Sequence, residues 1–203
     1  MRGTKQSLLS IIGHYQPGSG VTAAQDDDVK AAALMLETEC GPPDLRANPT
    51  LIDGMWLCIF DSRDLLFQAN LAVMTAGALP AQMVPVLTTF QELRSAFNFY
   101  RNTMVMQAGP EGLLFNYIST AEYLVAPEAP NVLQVSFTTT AMVPADARIS
   151  PLALKKALGM PETMPLSFGG PPRGPFPSIV TYCDADVRIN RGVAYISVLQ
   201  RLT

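Results

Sequence analysis

"LLFNYISTAEYLV", residues 113–125, decides how the rest of the chain is read. Leu113, Phe115, Tyr117, Ala121, Tyr123 and Val125 fall on one side of an alternating pattern. Successive side chains of a strand point to opposite faces, so apolar residues at period two mark a half-buried strand. "NVLQVSFTTTAMV", residues 131–143, repeats the pattern, with Leu133, Val135, Phe137, Ala141 and Val143 on one face and Gln134, Ser136, Thr138 and Thr140 on the other. "APEAPN", residues 126–131, is turn chemistry joining the two as a hairpin.

The same reading extends both ways. "GMWLCIF" (54–60), "MVPVLTTF" (83–90), "PSIVTYC" (177–183), "DVRINR" (186–191) and "VAYISVLQRL" (193–202) are further strands, and "AFNFYRNTMVMQ" (96–107) is ambiguous, with apolar residues on both faces. About eight short strands with hairpin-length links imply a closed antiparallel barrel or a sandwich. Two segments interrupt the meander. "SPLALKKALGMP" (150–161) reads as a short helix, with Ser150 as N-cap, Pro151 at its first position and Gly159 as stop. "SFGGPPRGPFP" (167–177) reads as a Gly/Pro-rich loop.

The N-terminal residues are helical in period. Leu8, Leu9, Ile11, Ile12 and Tyr15 form one face, and Thr22 with Gln25 fits a capping box opening a second helix. In that helix Val29, Ala32, Ala33, Leu36 and Cys40 form the apolar stripe, and Gly41 stops it. The expected organisation is a helical segment over 1–49 packed on a barrel domain over 50–203.

Composition narrows the function. Charged residues make up 15% of the chain and the net charge is −3, with no basic stripe, so nucleic acid is not an expected partner. No apolar run reaches the ~20 residues a membrane span needs, although apolar contact with a membrane remains open. The three cysteines have no metal-ligand spacing and the one histidine, His14, lies far from them in sequence, so no zinc site, no other metal site and no cofactor is expected. Any Ser-His-Asp or Cys-His arrangement would have to use His14, at a helix end outside the barrel. No catalytic residue is assigned.

The densest mixed charge is "TYCDADVRINRG", residues 181–192. With the turn at Asp184 and Ala185, period two sets Asp186 and Arg188 on one face, where Arg188 would pair with Asp184 or Asp186. Ile179, Cys183, Val187 and Ile189 would face the core. The expected role is a staple closing the fold. The charge-poor "LLFQANLAVMTAGALPAQMVPVL" (65–87) fits a flexible lid or membrane-touching loop, with Leu79 as a contact residue.

"LIDGMWLCIFDSRDLL" (51–66) resembles the "LLDGRW-LLYTSSRDL" opening of the plastid lipid-associated proteins, or fibrillins. "TYCDADVRINRG" is similar to that family's closing "YLDEDLRISRG", with Cys183 and Ala185 replacing Leu and Glu, and "ISVLQR" (196–201) parallels its "VFVLVR". The resemblance implies a mainly β fold: a lipocalin-like antiparallel β-barrel with an N-terminal helical segment. It also implies association with thylakoid lipid or lipid globules, and links to carotenoids, quinones and other isoprenoids. It places a cyanobacterial-type copy in the cytoplasm, peripheral to the thylakoid, or otherwise in a plastid. It supplies no catalytic residue.

In lipocalin-like barrels a tryptophan plugs the closed end and an arginine stacks across it. Trp56 and Arg201 fit that pair, and Tyr117 and Phe137 are expected to join them in lining the ligand site. Gly54, Asp184, Asp186, Arg188, Arg191 and Gly192 carry the two end motifs. The expected function is non-enzymatic binding of a hydrophobic small molecule or lipid. The alternatives are a bilin-handling lyase or isomerase, which needs charged groups inside the barrel (Arg94 and Arg101 being the candidates), and a scaffold with a filled barrel.

Overall fold

The alternation in residues 113–125 becomes β5 (Leu113–Val125), in which Phe115, Tyr117, Ser119, Ala121 and Tyr123 turn inward and are buried. The computed structural model describes residues 2–14, 20–63, 68–75, 77, 79–192 and 195–202, with the backbone alone for Arg2. Around β5 the strands run as an antiparallel meander: β1 (Gly54–Asp61), β2 (Gln68–Asn70), β3 (Met83–Arg94), β4 (Phe99–Ala108), β6 (Val132–Pro144), β7 (Ser167–Cys183), β8 (Val187–Arg191) and β9 (Ile196–Arg201). β1 pairs with both β9 and β3, which closes eight strands into a barrel, while the short β2 pairs with the start of β3 alone. Closure removes the unpaired edges that an open sheet exposes. The ambiguous 96–107 stretch divides into a 3-10 turn, Ser95–Phe97, and β4, with Asn98 in the left-handed region between them (φ 51°).

β6 departs from strict alternation. Leu133 and Val135 face inward, but so do Thr140 and Met142, and Ala141 and Val143 turn away from the core. The cause is a bulge. Thr120 pairs with Thr139 and Ala121 with Phe137, so Thr138 is an extra residue, and its hydroxyl donates to the Thr120 carbonyl at 3.2 Å. One inserted residue moves every later side chain to the opposite face. "SFGGPPRGPFP" is also not a free loop: it lies within β7, whose register against β6 shifts at Val135/Phe137 and again at Phe137/Thr139.

Helix α1 (Arg2–Gly13) and helix α2 (Ala23–Cys40) pack on the outside of the barrel. Leu8 and Ile12, with Val29, Ala32, Ala33 and Leu36, cover Phe60, Tyr182, Val187, Ile189, Ile196 and Val198. The Thr22–Gln25 capping box is formed and Gly41 caps α2 at φ 72°. Cys40 is exposed, so the stripe ends at Leu36; Tyr15 lies outside the described residues. Helix α4 (Pro151–Ala157) starts with the Ser150 hydroxyl accepting from the Ala153 N–H at 3.1 Å.

The segment expected to be a lid divides between core and surface where it is described: Leu71, Leu79, Val84 and Val86 are buried, while Val73, Met83 and Leu87 stay exposed. The one-turn α3 (Leu71–Met74) and Leu79 sit over the barrel mouth. Leu71 and Leu79 are buried with Val84, Val86, Met106 and Phe115, and Leu154 of α4 joins the same cluster. Leu79 is 3% exposed and Val73 77% exposed. Leu79 is therefore a packing residue and not a contact for a membrane. Leu79→Asp is expected to destabilise the fold by about 4 kcal/mol, through lost packing and an unpaired buried carboxylate. Val73→Asp should stay within ~0.5 kcal/mol of the parent. Urea unfolding of the two variants distinguishes them.

Candidate functional site

Trp56 is fully buried at the end of the barrel where β1, β3 and β9 meet, and its Nε1–H donates to the Ile52 carbonyl at 2.9 Å. The Arg201 guanidinium stacks over its ring at 4.1 Å. That guanidinium also donates to three carbonyls: Leu51 at 2.7 Å, Ala185 at 2.6 Å, and Asp53. The GxW spacing follows from this contact. Gly54 has φ +117°, where a side chain is strained, and a Cβ there would lie 3.0 Å from Arg201 Nη1 and push the guanidinium from its place.

The closing hairpin is differently wired from the pairing expected of its sequence. Asp184 does fix the turn, its Oδ1 accepting from the Asp186 and Val187 N–H groups at 2.8 Å each. Its partner is Lys5 of α1 at 2.8 Å, which also reaches Asp186 at 3.0 Å; Arg188 pairs with neither aspartate. Arg191 grips Glu37 of α2 through two bonds of 2.9 Å, and Thr181 donates to the same carboxylate at 2.5 Å. Gly192 leaves room for the Tyr195 ring, which a Cβ would overlap.

A register shift between Val180 and Tyr182 sets which face of β8 is which. Tyr182, Val187 and Ile189 lie under the helices, whereas Val180, Cys183, Arg188 and Asn190 turn into the barrel. Ile179 is only partly buried. Both faces of β8 are covered, so the apolar pair does not mark the barrel interior. Arg188 is 0% exposed, sits over the Trp56 ring at 4.8 Å, and donates from Nη2 to Gln91 on β3.

Inside the barrel two apolar clusters fill opposite ends of the strands. One comprises Trp56, Leu93, Tyr100, Tyr123, Leu133 and their neighbours; the other is the cluster beneath α3 and α4. A polar row separates them. Gln91, Asn102, Ser119 and Thr140 are successive partners across β3, β4, β5 and β6. Asn190 donates to Ser178 at 3.3 Å on the β7–β8 side.

Above this row lies a cavity of about 240 Å³ lined by Met74, Met104, Tyr117 and Phe137, with Asn102 and Ser119 also in its wall. A second, of about 380 Å³, shares Phe137 and Arg173 and runs along the β6–β7 ladder beside Phe168. The Tyr117 hydroxyl donates to the Met74 carbonyl at 2.6 Å, and burial raises its pKa. Phe137 meets Tyr100 edge-on, with centroids 6.2 Å apart. Of the four expected lining residues, Tyr117 and Phe137 come together at the cavity, while Trp56 and Arg201 form the plug.

Asn102, Ser119 and Arg173 were not readable as site residues. Asn102 lies in the stretch of ambiguous period, and Arg173 in one that reads as loop. Arg94 and Arg101 pair with Glu92, which alternates with the inward Gln91, so they belong to the outer face. His14 is exposed at the end of α1, its ring Nδ1 2.6 Å from the Ser10 carbonyl.

An eight-stranded closed antiparallel barrel with an arginine-stacked tryptophan at one end and a part-polar cavity above it defines a lipocalin-like protein. The PAP_fibrillin family model matches residues 2–199, nearly the whole chain, and the chain belongs to that family. Comparison with curated proteins and with solved structures gives no match. Among the described residues no helix is long and apolar enough to cross a membrane.

Two outcomes follow from the hairpin. Burial raises the Asp184 pKa, but the bonds from Lys5, Tyr182 and the Val187 and Asp186 N–H groups outweigh it and hold the carboxyl down at about 2. The folded value lies below the ~3.9 of an unfolded aspartate. Its contribution is therefore complete above about pH 4 and lost as pH falls towards 2. Asp184→Asn is expected to cost ~1 kcal/mol at neutral pH and to flatten the acid limb of a stability–pH profile. An Asp186→Ala, Arg188→Ala double-mutant cycle should give a coupling below about 0.5 kcal/mol in denaturant unfolding, because the two side chains do not meet.

Proposed function

We propose that this protein binds a hydrophobic small molecule or lipid inside the barrel, without catalysing a reaction, and does so at the surface of a photosynthetic membrane. The observation that carries this is the cavity of about 240 Å³, with sulfur and aromatic walls and the polar side chains of Asn102, Ser119 and Arg173 beside them. Ligand pockets are commonly apolar hollows with a few polar groups that fix orientation. The family and the closed barrel are compatible with lipid or hydrophobic-ligand association. Isoprenoids, among them quinones and carotenoids, are the ligand class the family suggests. The family also favours a plastid or thylakoid location.

Trp56 is the single tryptophan and so the natural reporter. Titration with a quinone, a carotenoid and a retinoid is expected to change its emission saturably, with a lipid or pigment also retained in native mass spectra of the purified protein. Ser119→Phe, which fills the cavity, should weaken binding about tenfold or more while costing ~1–3 kcal/mol of stability from overpacking. Silence with all three ligands, and no retained lipid, would point instead to a filled barrel acting through its surface.

A further inference from the structure

Buried cations in folded proteins are normally paired with carboxylates, because an uncompensated charge in low dielectric is strongly unfavourable. Arg188 breaks that pattern. Its side chain is fully buried, and among the described residues its hydrogen-bond acceptor is the neutral amide of Gln91 while its Nε and Nη1 have no partner. Among the charge interactions acting most strongly on it, those of Tyr100, Cys183, Arg201 and Cys58, none is with a carboxylate. Burial pushes its pKa down to about 10, which leaves it a cation at neutral pH.

The buried carboxylates of the barrel are committed elsewhere. Asp61 pairs with Arg63 at 2.7 Å and accepts from Ser197 at 2.6 Å, and Glu92 is held by Arg94 and Arg101.

The polar row next to Arg188 is also incomplete. Thr89 Oγ1, Asn102 Oδ1 and Asn190 Oδ1 are buried with no hydrogen-bond partner among the described residues. Gln91, which touches Arg188, is the direct β-ladder partner of Asn102, and Asn102 lines the cavity between Met104 and Ser119. Arg188 lies behind the cavity wall, reached through Gln91 and Asn102; the wall itself carries Ser119 and the guanidinium of Arg173 and is otherwise apolar.

We propose that the ligand carries a carboxylate on an apolar body, with the carboxylate seated against Arg188 and the body lying in the cavity beside Met104 and Phe137. This narrows the ligand-binding reading above and rests on it. A hydrocarbon carotene leaves the cation uncompensated, and a quinone offers it only a neutral carbonyl. A carboxylate supplies both the charge and the acceptors that Nε and Nη1 lack. The same head group is found on a straight-chain fatty acid and on the propionates of an open-chain tetrapyrrole.

The test is a titration of the full chain with palmitate, methyl palmitate, biliverdin and biliverdin dimethyl ester. It is followed by Trp56 emission, since that ring lies 4.8 Å from the Arg188 guanidinium, and by calorimetry. One of the acids is expected to bind about tenfold or more tightly than its ester, as a charge-assisted hydrogen bond supplies. Arg188→Gln should bring that acid to the affinity of its ester and leave the ester unchanged. Preference for palmitate identifies a fatty acid, and preference for biliverdin a tetrapyrrole. Equal affinity of acid and ester overturns the carboxylate while leaving the cavity reading intact, as does binding of isoprenoids with no response to any of the four probes. No binding of the probes or of isoprenoids overturns both. The acid–ester comparison uses the unaltered protein, so it decides the matter even where Arg188→Gln fails to fold.

Discussion

The contact of Arg201 with Trp56 is the constraint to which the rest of the barrel conforms. One guanidinium covers an indole at 4.1 Å and donates to carbonyls of Leu51, Asp53 and Ala185. Those three carbonyls belong to the segment before the first strand and to the turn between β7 and β8, while the arginine itself ends the last strand. A single side chain therefore fixes the ends of the chain's β region to one another. Each bond to a charged donor is worth ~1.5–3 kcal/mol and the stacking ~0.5–2 kcal/mol. Gly54 is the backbone concession that lets the guanidinium approach, and Trp56 fills the end of the barrel that results. With that end sealed, the cavity lies on the side of the barrel towards α3, with Met74 in its wall.

The closing hairpin holds the helices as well as the barrel. Asp184 and Asp186 hold α1 through Lys5, and Arg191 holds α2 through Glu37. Between these anchors Val187, Ile189, Ile196 and Val198 meet the apolar faces of both helices. The charged residues at odds with an apolar chain thus have two duties on two faces: the aspartates and Arg191 dock the helical layer outside, and Arg188 stands alone within.

Fold class, strand number and helix caps were legible in the sequence because they depend on local chemistry: alternation in β5, Thr22 and Gln25, Ser150 and Pro151. The Trp56–Arg201 pairing was legible from the resemblance of the two end motifs. What could not be read was parity. Thr138 and Thr181 each sit at a register shift, and neither carries a glycine or proline signal to announce it. Past Thr138, Ala141 and Val143 therefore face the wrong way for a reader who alternates from Leu133. In "DVRIN" the alternation itself is correct, but a strand covered on both sides has no single core face, so Val187 and Ile189 misled where Arg188 mattered. The lining residues Asn102 and Ser119 are polar, and polarity in a strand ordinarily reads as solvent. Only the three-dimensional closure turns them inward.

The tie between Lys5 and Asp184 spans 179 residues of sequence, and that between Arg191 and Glu37 spans 154. The helices are synthesised before the barrel, and most of the surface they cover, on β7, β8 and β9, is synthesised well after them. At ~5–20 residues per second, translation leaves α1 and α2 without their dock for about ten seconds or longer. During that interval their apolar stripes face water, nascent chain or whatever apolar surface is nearest. Long-range pairing of this kind also slows folding after release, since the loop must close before any contact rewards it. The order of synthesis thus gives the N-terminal helices a period of exposure that the finished barrel conceals.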